Sequence, residues 1–135
     1  VWSLALFTSH YYQNETIMAY FVSRADEAPL DPDRVESILS AGQSIVQWEL
    51  VSTVPDLQGT CEFRSRMDQI AEVRVFTALI SFEGDEDAIL EFALWFQSQY
   101  DLPLVFGHPA APAEIELTSI QTVEDLQSAM EDEWG

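Results

Sequence analysis

The chain has 135 residues, 47% hydrophobic and 12% aromatic, which is enough apolar material for one core and too much for a disordered segment. Its 24 Asp and Glu stand against 5 Lys and Arg, a formal net charge of −19, and all five basic residues are arginine. A field of that sign and size repels nucleic acid and anionic membrane surfaces and attracts basic proteins, so direct nucleic-acid binding is excluded.

A small domain needs a net charge of only about 2–8 for solubility. The excess here asks for another cause, either a basic partner or a salt-adapted host. One cysteine, Cys61, rules out an internal disulfide framework and a clustered thiolate metal site. No run approaches ~20 consecutive apolar residues, and the start Val1-Trp2-Ser3-Leu4 carries no basic leader, so the expectation is a soluble, cytoplasmic protein with no membrane contact. Asn14-Glu15-Thr16 matches a glycosylation acceptor but reads as turn chemistry in that setting.

Residues 2–12 are apolar, aromatic and β-branched, and a turn at Gln13-Asn14 leads to a second arm over 17–22, which together read as a hairpin. Ile17, Tyr20, Phe21 and Arg24 also fit helical spacing; the β-rich composition decides for strand. Asp31-Pro32 starts a helix that places Val35, Ile38 and Leu39 on one face and closes at Gly42. Residues 45–54 alternate as a half-buried strand, with Val46, Trp48 and Leu50 on one side and Gln47 and Glu49 on the other.

After a loop over 55–59, Cys61, Phe63, Ser65 and Met67 point inward and Glu62, Arg64 and Arg66 outward. Asp68-Gln69 turns the chain into one central strand over 73–82, apolar on both faces. A second helix follows Asp85, with Ile89, Phe92, Ala93, Phe96 and Tyr100 as its stripe, and ends before Pro103. Short strands over 104–106 and 114–118 flank a Pro-rich loop, and Thr122 caps a third helix with Val123, Leu126, Met130 and Trp134 on one face. The pattern defines an α+β fold, a two-layer sandwich with a mostly antiparallel sheet and about three helices on one side, in one acidic domain over 1–135.

Catalytic signatures are missing from the sequence: the five glycines are too dispersed for a phosphate loop, and the usual metalloprotease, serine-hydrolase and paired-cysteine motifs do not occur. The best nucleophile pairing is Cys61 with His10 or His108 as base, against which stands the usual reading of an inward strand cysteine as an inert buried thiol. Glu83, Asp85, Glu86, Asp87 and Glu91 carry oxygens suited to a hard cation, but acidic residues in a helix's first turn are explained by the macrodipole. The expectation is a non-enzyme with no catalytic residue, metal or cofactor.

Carboxylates also recur near the other helix starts, at Asp26, Glu27, Asp31 and Asp33 and at Glu124 and Asp125, with Glu131, Asp132 and Glu133 as a terminal patch. Should the helix starts gather at one end of the sandwich, these groups would line up like phosphates. Arg64, Arg66 and Arg74, beside Glu62 and Glu72, suit cross-strand ion pairs. The second helix carries Leu90, Leu94 and Trp95 outside its main stripe, to be assigned either to burial between layers or to an exposed anchor.

In size, acidity and lack of motifs the chain is similar in general character to immunity proteins and nucleic-acid mimics, a resemblance that transfers no residues. The expected function is inhibition of the immunity or antitoxin type, blocking the basic active site of a toxin such as a nuclease. The alternatives are a DNA mimic of the anti-restriction or anti-CRISPR type, and a small enzyme or ligand-binding domain from a salt-adapted host. The candidate partner-binding residues are Asp85, Glu86, Asp87, Glu91, Leu90, Leu94, Trp95, Glu124, Asp125, Glu131, Asp132, Glu133 and Trp134. The isolated protein should leave labelled DNA and RNA unshifted in a mobility assay at physiological salt, because it has no basic stripe to exchange for counterions. A tight shifted band would contradict the charge argument.

Overall fold

Alternation in the described strands turns most of their buried apolar side chains to one side of a single antiparallel sheet. The computed structural model describes residues 19–51 and 53–135. In chain order these form β1 (Tyr20–Arg24), α1 (Pro32–Ala41), β2 (Ile45–Leu50), β3 (Leu57–Arg64) and β4 (Ile70–Phe76), then β5 (Ile80–Gly84), α2 (Glu86–Gln99), β6 (Leu104–Gly107), β7 (Ile115–Glu116) and α3 (Val123–Trp134). The described strands lie in the order β2-β3-β4-β5-β1-β6-β7. The fold is an α+β sandwich. β2 to β5 form a meander, and β1 enters between β5 and β6, so the chain must cross the sheet through α1 to reach the β2 edge.

Register shows which side is buried. Phe63 faces Ala71, Val73 faces Phe82, Val75 faces Ile80, Ile80 faces Val22, Val22 faces Phe106, and Phe106 faces Ile115. Against this face pack Val35 and Leu39 of α1, Ile89, Phe92, Ala93 and Phe96 of α2, and Leu126 of α3, all in one core cluster. The opposite side carries Glu62, Glu72 and Glu83 directly across from one another, with Arg74 opposite Ser81.

Helix ends follow from local chemistry. Asp31 accepts from the backbone N–H groups of Asp33 (3.1 Å) and Arg34 (3.5 Å), and Thr122 accepts from that of Asp125 (3.0 Å), so both caps read from the sequence are present. Asp85 makes no such cap; its carboxylate accepts from the Ile70 N–H at 3.3 Å and ties the start of α2 to β4. Gly42 does follow α1, but with φ −72° it is not in the left-handed conformation of the usual glycine cap. A Cβ there would lie 2.8 Å from the Trp95 ring, so glycine is needed for close approach.

Several strand expectations are corrected. The strand over 73–82 is two strands, because the Phe76 N–H bonds to the Leu79 carbonyl (2.8 Å) and reverses the chain. Val73 and Val75 differ in parity from Ile80 and Phe82, and joining them produced the apparent two-faced strand. In β2 a bulge between Val46 and Glu49, with Gln47 at φ 60°, breaks the alternation. Ile45 and Trp48 therefore pack on the core, the strand ends at Leu50 rather than at 54, and Leu50 is 64% exposed. β3 begins at Leu57, inside the expected loop, and stops at Arg64 because the Ser65 hydroxyl accepts from the Met67 and Gln69 N–H groups (3.2 and 3.0 Å); Met67 is thereby 76% exposed instead of inward. The strand expected over 114–118 shortens to Ile115–Glu116. The residues expected as the second arm of a first hairpin are strand, as β1, but β5 and β6 pair with its two edges, so β1 is a central strand and not a hairpin arm; the expected first arm, His10 and the Asn14 triplet lie outside the described residues.

Phe92 is fully buried and meets the rings of Phe63 and Phe82 edge-on at 5.3 and 5.0 Å. Phe92→Ala should lower the unfolding free energy by roughly 3–5 kcal/mol, and Leu50→Ala should change it by less than about 0.5 kcal/mol. Urea titrations followed by circular dichroism check both.

Candidate functional site

The arginines restrict what the surface can offer, and each of the five is engaged by a carboxylate of its own chain. Arg24 pairs with Asp26 (2.5 Å), Arg34 with Asp101, Arg64 with Asp68 (2.8 Å), Arg66 with Glu91 (3.6 Å) and Arg74 with Glu83 (3.5 Å). Arg24 and Arg34 hold the carboxyls of Asp26 and Asp101 below the ordinary range through hydrogen bonds. These pairs are mostly exposed and add little stability, but they leave no arginine unengaged. Of the three hairpin arginines expected in cross-strand ion pairs beside Glu62 and Glu72, Arg74 makes one, with Glu83 of β5, while the other two are corrected: Arg64 reaches along its own turn and Arg66 reaches α2.

The candidate anchors on α2 divide. Leu90 is fully buried in the core, so it offers nothing to a partner. Leu94 and Trp95 are half-buried and pack against the core, with the Trp95 ring 5.9 Å from Phe63 and 6.0 Å from Phe92. Glu91 accepts from the Arg66 N–H at 3.1 Å besides its ion pair, which commits it to holding the β3–β4 turn on α2. Asp85, Glu86, Asp87, Glu124, Asp125, Glu131, Asp132 and Glu133 are exposed.

The helix starts do not gather at one end. The Asp31 N–H donates to the Tyr100 hydroxyl (3.1 Å) and Arg34 pairs with Asp101, so the start of α1 meets the end of α2. Glu86, at the start of α2, instead lines a groove with Glu131, Trp134 and Gly135 at the end of α3. The acidic starts of α1 and α2 consequently sit at opposite ends of α2, and the phosphate-like row is not formed.

In that groove candidate carboxylates and a candidate aromatic come together. It encloses ≈ 520 Å³ and is lined by Gln127, Met130, Glu131 and Trp134, one stripe of α3, facing Glu86 of α2. Trp134 is held from behind: its indole N–H donates to the Ala113 carbonyl (2.7 Å), and its ring stacks on Phe106 (5.8 Å) and Tyr20 (6.4 Å). Burial raises the Tyr20 hydroxyl pKa, and the nearby charge of Glu86 adds to it. Helical spacing puts Met130 and Trp134 on one face, but only the fold shows that Glu86 lies across from them.

The pairing of Cys61 with His108 fails on distance, and that with His10 lies outside the described residues. Cys61 on β3 and His108 after β6 are separated by three strands, and four strand spacings amount to roughly 19 Å. His108 instead meets the Tyr20 ring edge-on at 4.8 Å and accepts from the Ala110 N–H (3.1 Å). Among the described residues no group of three or more His, Cys, Asp or Glu side chains is placed to hold a metal ion, and no helix is long and apolar enough to cross a membrane. Compared with known proteins, the chain matches no family model, no curated protein and no solved structure.

Burial, with a smaller contribution from Glu62, pushes the Cys61 thiol from 9.0 up to about 12. The native state keeps this proton while an unfolded thiol sheds it, so the stabilisation is complete below pH 9.0 and is lost between there and about 12. A thiol-reactive dye near neutral pH should leave folded protein unlabelled and label it fully in denaturant, and stability above pH 9.0 should fall less steeply in Cys61→Val.

Proposed function

We infer that the chain is an acidic protein-binding inhibitor of the immunity or antitoxin type, which covers the basic active site of a toxin acting on an anionic substrate. The observation that carries this reading is the closed account of positive charge: every arginine is engaged by a carboxylate of its own chain, so the formal balance of −19 has no basic side chain left to offset it. A second observation supports it. Glu131, Asp132 and Glu133 occupy the last turns of α3, where the macrodipole disfavours negative charge, and among the described residues none of α1, α2 and α3 carries a basic residue in its last turn. Acids at helix starts stabilise the fold by themselves; acids at this end do not.

A general field of this kind steers encounter with a cationic surface and sets the association rate, while a few desolvated contacts set dissociation. Within the same class, a nucleic-acid mimic needs its carboxylates in a row, and the alternating helix starts do not favour that form. Stopped-flow mixing with the partner toxin should show association slowing steeply as the screening length shrinks from ~10 Å at 0.1 M salt to ~3 Å at 1 M. Replacing Glu131, Asp132 and Glu133 by Gln, Asn and Gln should slow association further without unfolding α3. An association rate indifferent to salt would overturn the inhibitor reading.

A further inference from the structure

We propose that the groove between the start of α2 and the end of α3 receives one arginine side chain of a basic protein partner, its guanidinium set against Trp134 and Met130 between the carboxylates of Glu86 and Glu131. The inference rests on the reading of the chain as an acidic binding module and names the point of the surface that does the holding.

Three features of the groove select that occupant. Its charged walls are of one sign: among the described residues lining it, Glu86 and Glu131 are the ionisable side chains, and no arginine of the chain reaches it, since all five are paired elsewhere. Its apolar wall is an indole and a thioether, surfaces on which a flat, weakly hydrated guanidinium stacks better than a compact ammonium. Its volume, ≈ 520 Å³, is ample for a long side chain such as that of arginine.

The groove is also stiff where it matters. The Ala113 hydrogen bond and the stacking on Phe106 and Tyr20 fix the plane of Trp134 before any partner arrives, so little rotamer entropy is lost on binding. The end of α3 adds the negative pole of its macrodipole to Glu131, which strengthens attraction for a cation.

Hexa-arginine is a direct probe. In the ¹⁵N-labelled chain at low salt, with the Trp134 indole signal assigned by its loss in Trp134→Phe, titration should move that signal and the amides of Glu86, Met130 and Glu131 together and saturably. The double variant Glu86→Gln, Glu131→Gln should bind about fivefold more weakly, while Asp33→Asn with Glu124→Gln, which removes the same charge elsewhere, should change affinity less than about twofold. Preserved amide dispersion in each variant shows that the fold is intact. Binding with shifts spread over the acidic surface, or equal weakening by both double variants, would overturn the groove while leaving the acidic module standing. No binding of hexa-arginine at low salt would overturn both.

Discussion

Cohesion among aromatic rings in the core carries this fold against its own charge. At −19 the folded chain repels itself, and the exposed ion pairs return little of that loss. What opposes it is a continuous line of rings running nearly the full width of the sheet. Trp95 meets Phe63, Phe63 meets Phe92, Phe92 meets Phe82, Phe82 meets Phe106, and Phe106 meets Trp134, with centroids 5.0 to 6.1 Å apart. Each link joins a different pair of elements or a helix to the sheet. Removing the central ring would therefore loosen both layers at once.

The same packing decides where the carboxylates go. Because α1 is docked by its start on the end of α2, and α2 by its start on the end of α3, acidic first turns are dealt alternately to the two ends of the layer. This spreads like charges apart, which lowers repulsion. It also brings Glu86 and Glu131 together at one point, although 45 residues of chain separate them in number and neither helix gains stability from Glu131.

Much of the architecture was legible because its causes are local. Asp31-Pro32 and Thr122 cap helices by short-range bonds, and the stripe from Ile89 to Tyr100 is buried along its whole length. The errors came where a distant or unusual contact overrides the pattern. The turn after Phe76 contains no glycine, proline or asparagine, and is held by the Thr77 N–H bonding to the Asp56 carbonyl (3.0 Å) across the sheet. Gln47 adopts a positive φ that no side-chain preference announces. At the site, charge and aromatic content were visible in the sequence, but Leu90, Glu91 and the groove were not separable until α2 was placed against its neighbours.

Trp134 shows how fold and site are coupled. Its ring closes the edge of the core over Tyr20 and Phe106 and binds the 108–114 loop through Ala113, so the end of α3 is not free to drift. The same ring forms a wall of the acidic groove, and that wall is held in place by the contacts beneath it. A carboxylate patch on a loose helix end would attract cations without discriminating among them. Set beside a fixed indole, it gains shape, and shape is what turns a long-range attraction into the selection of one side chain over another.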